Sequence, residues 1–499
     1  MPDILFSFRD KLKMLSKNKH FDDILILLIA FITFIGWTLG TLTNIPLMLG
    51  LDLLIIIAVV LILVFNDLKY LIPVIIYLIY NMANEVDSGA SIPIDLIIGV
   101  IIFGAAIIYH TIKNKIDFSK MKSLLGFIGL AIAEIIPIIW AFNITYFNND
   151  LGVEKHMDLA WYILYFADLG YLLIYCIFAN GIKSSSKQMF IKTMSYLSIL
   201  ITLECLVCVL LQFKNGEIDN VFDAYYWLGW GLCNEAGIML CFSLPFTFYI
   251  LAKKKNVLDM LIYVGIILIT GVGVVITTSR GAYLIFALEF VSLVILTFFK
   301  AENKKAFRIM VYVMIGLVVL FVLVFHNKVF SLVESLFNKV FGTGINEGEA
   351  IDVSKISNRR FELWSMAGEY TRESWYKVLF GPGFACDIEP QESGIIDNWV
   401  YGPQVFHSLI FETMAIGGVF GLLALTIHMA DKYLRITLFD KHTLWYFLIA
   451  YISLDLYGLI DNTYHMYYFM IPLVIGMASL DNDANYLMIP YGRKEMERW

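Results

Sequence analysis

The chain has 499 residues, 59% of them hydrophobic and only 16% charged, with a mean hydropathy of +0.75. A soluble chain of this length carries far more charge, which excludes the ordinary globular classes. The net charge of −7, with no long basic run, excludes a nucleic-acid partner, and the hydrophobicity excludes a disordered chain.

What remains is a polytopic membrane protein. Apolar runs approach the roughly 20 residues of a spanning helix without strict alternation, so the expected fold is all-α rather than a barrel. In chain order the sequence predicts fourteen spans: 24–41, 47–65, 70–83, 93–109, 124–142, 159–179, 193–212, 229–251, 257–278, 281–299, 308–325, 407–428, 443–460 and 465–480. With the N-terminus inside and the sides alternating, the inner segments hold 26 of the 36 basic residues. The short outer loops hold only Lys155, Lys214 and Arg280. This asymmetry places both termini in the cytoplasm. The basic first 23 residues and the uninterrupted first span carry no cleavable-signal pattern. Ile4, Leu5, Phe6, Phe8, Leu12 and Leu15 are expected to form an interfacial helix. Cys176, Cys205, Cys208, Cys233 and Cys241 fall in apolar spans and read as packing residues, and Cys386 stands alone outside, so no disulfide or metal cluster is expected.

The whole chain, 1–499, thus reads as one membrane domain carrying a single large extracytoplasmic cap at 326–406. Trp364, Trp375, Trp399, Phe361, Tyr370, Tyr376, Phe380, Phe384 and Tyr401 make this a folded element rather than a linker. Helical spacing over 357–380 predicts one helix, ended by Gly381-Pro382-Gly383.

Three features carry possible chemistry. Thr277-Thr278-Ser279-Arg280-Gly281-Ala282 sits at an outer turn. Ser279 can cap the following helix, whose free amides and the Arg280 fork suit an anion; the alternative is an arginine reaching for lipid headgroups. Arg359-Arg360 opens the cap helix against its dipole, so an anion or a carboxylate such as Glu362, Glu369 or Asp352 should compensate. His407-Ser408 begins the next span, where the dipole favours a neutral imidazole able to act as a base. Gly417, Gly418 and Gly421 follow, allowing a helix or lipid chain to pack closely; a capping histidine beside a small-residue interface is the plain alternative. Together, two helix N-termini, three arginines and a histidine suit a lipid-anchored diphosphate without a metal.

At these points the sequence resembles the O-antigen ligase and polymerase superfamily. His407-Ser408, nine residues, then Gly418-x-x-Gly421 is similar to the ligase signature. Ser279-Arg280-Gly281-Ala282 and Arg360-x-x-x-Trp364 followed by Gly381-x-Gly383 resemble its arginine and loop motifs, over roughly 230–430. The resemblance implies a GT-C-like, metal-independent, inverting glycosyltransferase that needs no cofactor. The implied donor is an undecaprenyl-diphosphate-linked glycan, and the acceptor a hydroxyl of a glycan or glycolipid at the outer face of the cell membrane. By the same resemblance His407 is the catalytic base, and Arg280 and Arg360 hold the diphosphate, with Arg359 as the alternative to Arg360. Two departures stand out: family ligases have about twelve spans, and a further outer arginine found in some members has no counterpart here.

Asp52, Glu134, Asp168, Glu204, Glu235, Glu289, Glu412 and Asp455 lie in or near apolar spans. Of these, Glu235, beside Asn234, and Glu412 are expected to line the site, and Asp461, Asn462 and His465 are within reach of it. A polysaccharide-repeat polymerase differs from a ligase only in its acceptor. A lipid-linked-glycan transporter is the rival class, disfavoured because no internal repeat is visible and the charged motifs share one face.

Overall fold

The structure is a computed structural model. It describes residues 20–43, 48–78, 94–114, 116–141, 145–148, 153–156, 165–218, 233–324, 360–383, 406–437, 441–461, 463 and 467–487, and residues 11, 14, 16 and 18 ahead of them. The expected interfacial helix, Arg359, Asn462, His465 and cap residues 326–359 and 384–405 lie outside the described residues.

The protein is a polytopic membrane protein built of helices apart from one small hairpin, and the apolar runs read from the sequence are helical over most of their described residues. The first part contains α1 (Phe21–Thr43), α2 (Met48–Phe65), a 3-10 turn at Leu68–Leu71 running into α3 (72–78), α4 (Ile94–Asn114), α5 (Leu124–Ile135) and α6 (Ile138–Ala141). The span expected at 124–142 is divided because Pro137 has no N–H to continue the helix. A small antiparallel hairpin, β1 (Thr145–Asn148) with β2 (Val153–His156), precedes α7 (Ala167–Gly181).

The second part contains α8 (Lys187–Asn215), α9 (Cys233–Ala252), α10 (Val257–Thr277), α11 (Arg280–Lys300) and α12 (Lys304–Val324). The cap contributes α13 (Arg360–Arg372) and α14 (Trp375–Phe380). Then come α15 (Leu409–Thr437), α16 (Lys441–Gly458) and α17 (Tyr467–Leu487). The single cap helix expected over 357–380 is two helices. Ser374 is extended (φ −151°, ψ 156°) and starts the second as its N-cap residue.

Helix α9 is apolar all round and sits at the centre, packed by α8, α10, α11 and α16. Lipid offers no hydrophobic drive between helices, so polar links help to fix them. Ser195 and Thr247 hydroxyls join α8 to α9 at 2.9 Å, and Thr297 and Tyr446 join α11 to α16 at 3.0 Å. Peripheral helices expose large apolar residues such as Phe31, Leu63, Leu268, Leu288 and Leu423, the surface a bilayer requires.

The segment 407–428, read as one span, is part of a longer helix, α15, that runs to Thr437 and breaks only at Gly418. Lys432, which the charge count assigned to a loop, is therefore inside a helix and fully buried.

Candidate active site

Three chain segments meet around Asp461, just past the C-terminus of α16. The first is the start of α15. His407 takes a left-handed backbone (φ 48°) before the helix begins. Two bonds hold that turn: Glu412 Oε2 accepts the Phe406 N–H at 2.7 Å, and the Glu412 N–H donates to the Ser408 carbonyl at 2.8 Å. Glu412 thus reaches back to the entry of its own helix, where the dipole favours a carboxyl group. The imidazole Nδ1 then lies 3.1 Å from Asp461 Oδ1. A carboxylate can only accept, so this contact puts a proton on Nδ1, and in the neutral ring Nε2 then keeps its lone pair. The histidine side chain is 39% exposed and Asp461 only 7%.

The second segment is the start of the cap. Arg360, first residue of α13, donates to the Ile460 carbonyl and reaches Asp461 Oδ2 at 3.5 Å. Among the described residues, the carboxylate that compensates this arginine at a helix N-terminus is therefore Asp461. Trp364, one turn on, stacks on Phe411 of α15 with ring centroids 5.1 Å apart, and its Nε1 donates to the Phe406 carbonyl at 2.9 Å. The cap helix is thereby tied to the residue preceding His407.

The third segment is the tight turn between α10 and α11. Thr278 is left-handed (φ 58°), and Ser279 caps α11 by accepting from Ala282 N–H at 3.3 Å. Both ends of this turn are crowded. A Cβ on Gly281 would lie 2.8 Å from the Tyr457 ring and 2.9 Å from Ile460, and one on Gly237 would lie 2.7 Å from Ala282 Cβ. The turn therefore fits closely between α9 and the end of α16. The Tyr457 hydroxyl reaches Asp461 Oδ2 at 3.5 Å and the Asn234 carbonyl at 3.4 Å. Arg280 heads α11 half-buried, and no carboxylate among the described residues pairs with it.

The structure thus brings His407 and Arg360 onto one carboxylate and sets the Ser279–Gly281 turn against Tyr457, whose hydroxyl reaches the same carboxylate. Glu235 is buried at the start of α9 within electrostatic range of Tyr457, and buried Ser408 holds the α15 turn. Arg280 is joined to the cluster through its neighbour Gly281, with no direct contact to His407. Tyr457 was missed by sequence reasoning. The available signal was its position one turn ahead of Asp461.

Residues 265–426 match the family model described as O-antigen ligase. The matched stretch holds the Ser279–Ala282 turn, the cap from Arg360 to Gly383, and His407 through Gly421, while Glu235, Tyr457 and Asp461 lie outside it. Against curated proteins the chain shows no match. The protein is thus a polytopic membrane protein whose residues 265–426 are similar to the O-antigen ligase family.

Proposed function

We propose that this ligase-family enzyme transfers a glycan from an undecaprenyl-diphosphate carrier to a hydroxyl of a glycan or glycolipid acceptor, on the exoplasmic side of the membrane. The observation that carries this reading is the shared carboxylate, Asp461, with His407 on one oxygen and Arg360 near the other, beside the Arg280 helix N-terminus.

The chemistry follows from the groups. His407 Nε2 takes the proton of the acceptor hydroxyl while its oxygen attacks the anomeric carbon. The bond from that carbon to the diphosphate oxygen breaks, and the electron pair leaves with the diphosphate. The negative charge developing there meets Arg280, the first amides of α11 and the donors of Arg360 not engaged by Ile460 and Asp461. Guanidinium groups thus supply the neutralisation that a divalent ion gives in other phosphoryl sites. Attack opposite the leaving group inverts the anomeric centre. The orientation that suits this reading has both termini in the cytoplasm and the Asp461 cluster under an extracytoplasmic cap.

The test is reconstitution in liposomes with a prenyl-diphosphate glycan and two acceptors, a glycolipid and a second lipid-linked repeat. Transfer to the glycolipid is the ligase outcome, and growth of the lipid-linked chain makes the enzyme a polymerase. Flux of intact donor across the bilayer without new glycosidic bonds would replace both with transport.

A further inference from the structure

Of the glycines that follow His407, Gly417 and Gly421 face Ala133 of α5, while Gly418 packs against the cap. Helix α15 is regular except at Gly418 (φ 59°, ψ −150°), a backbone region open essentially to glycine alone. The break falls inside the turn that, in a regular helix, closes the Ala415 carbonyl against residue 419. That carbonyl receives the N–H of Gly383 from the cap at 3.0 Å.

The approach is backbone to backbone. A Cβ on Gly418 would lie 2.5 Å from Gly381 N and 2.7 Å from Phe380 N. A Cβ on Gly381 would lie 2.5 Å from the Ile416 carbonyl. Gly381 and Gly383 themselves have φ of 78° and 95°. From the other side, Trp140 Nε1 of α6 donates to the carbonyls of Gly381 and Pro382 at 3.2 and 3.3 Å, and the Trp140 ring packs on Tyr376. The Gly381-Pro382-Gly383 turn is therefore held between a notch in α15 and the indole of α6.

This docking joins the two carriers of the active cluster at a second point. Arg360 begins α13, which leads through α14 into the turn, and His407 begins α15. The first point is the Trp364 stack on Phe411. The second, at Gly418, lies seven residues beyond Phe411, about 10 Å along a helix of ordinary rise. Two separated attachments fix both the position and the angle of the cap helix, whereas one would leave it free to pivot. We propose that Gly381, Gly383 and Gly418 are positioning residues that set Arg360 against Asp461 and His407. Their role in catalysis rests on the functional reading above, but their effect on the cap is measurable without it.

The experiment uses the full-length protein in nanodiscs, with hydrogen exchange followed by mass spectrometry alongside transfer kinetics from a prenyl-diphosphate glycan. In Gly418→Ala the 375–383 segment should exchange at least about tenfold faster. In the same variant kcat per folded molecule should fall about 100-fold, the scale of an ångström misplacement, with the donor KM changing less. Trp140→Phe removes one N–H and leaves the backbone untouched. It should loosen the same segment and lower kcat about fivefold, and it decides the matter if Gly418→Ala does not fold. Unchanged exchange in Trp140→Phe, or a loosened turn with wild-type kcat, overturns the proposal. A wild type that transfers nothing defeats the functional reading, while the exchange comparison still decides whether the notch holds the cap.

Discussion

Two ionic links tie the α15 strand of chain to α16 and its C-terminal turn, and they differ in how completely they are satisfied. Lys432 is fully buried, bonds both oxygens of Asp455 at 2.8 and 2.6 Å, and lies over the rings of Tyr433 and Tyr451, while the Tyr433 hydroxyl also donates to Asp455. At the other link His407 meets Asp461 at 3.1 Å with the imidazole 39% exposed, and Arg360 reaches the second oxygen at 3.5 Å. The first link is saturated and sealed, so a substrate has nothing to bind there. The second presents a ring nitrogen and guanidinium donors to the outside. A buried pair fixes how two helices meet, whereas a part-open cluster can exchange one of its contacts for a reactant.

That contrast breaks if the two links respond alike to mutation. His407→Ala should lower transfer by about 10³-fold, within the range for loss of a general base, and leave the thermal midpoint where it is. Arg280→Ala should follow, with a loss of about 10²-fold, as for removal of one donor to a developing anion, and Arg280→Lys should recover part of it. At the sealed link the effect moves to stability. Lys432→Met strands the Asp455 carboxylate and should cost about 3–5 kcal/mol in a denaturation assay, while the double change with Asp455→Leu should recover most of it. Transfer per folded molecule should be unchanged in that double variant.

Asp461→Asn sharpens the comparison from inside the open cluster. The amide can still accept from Nδ1 but brings no negative charge to the cluster. The rate of transfer should fall about tenfold. The smallest effect should come from Ser279→Ala, which removes the cap of α11 and should destabilise by about 1 kcal/mol with little change in kcat.

Much of this was legible in the sequence because each signal was local. Apolar runs of spanning length gave the helices, and Gly381-Pro382-Gly383 gave the end of the cap helix. The order of Arg280, Arg360 and His407 gave the family, which the match over residues 265–426 bears out. What was not legible depends on contacts between distant segments. The break at Ser374 follows from an extended residue within a helix-like pattern. Lys432 looked like a loop residue because its partner, Asp455, lies 23 positions away on another helix. Arg360 had nearby carboxylates in sequence, yet it pairs with Asp461, 101 positions on, because the cap folds back over the end of α16. The notch at Gly418 was visible as a small-residue cluster, but only the fold shows that a cap turn enters it.

The most direct measurement is the rate of glycan transfer from a prenyl-diphosphate donor in EDTA-treated liposomes, for the wild type and His407→Ala side by side. The account expects the wild type to run at full rate without divalent ions and the variant to be slower by about three orders of magnitude. A wild type that stops in EDTA and recovers with magnesium or manganese, or a variant that keeps pace with it, would contradict the account.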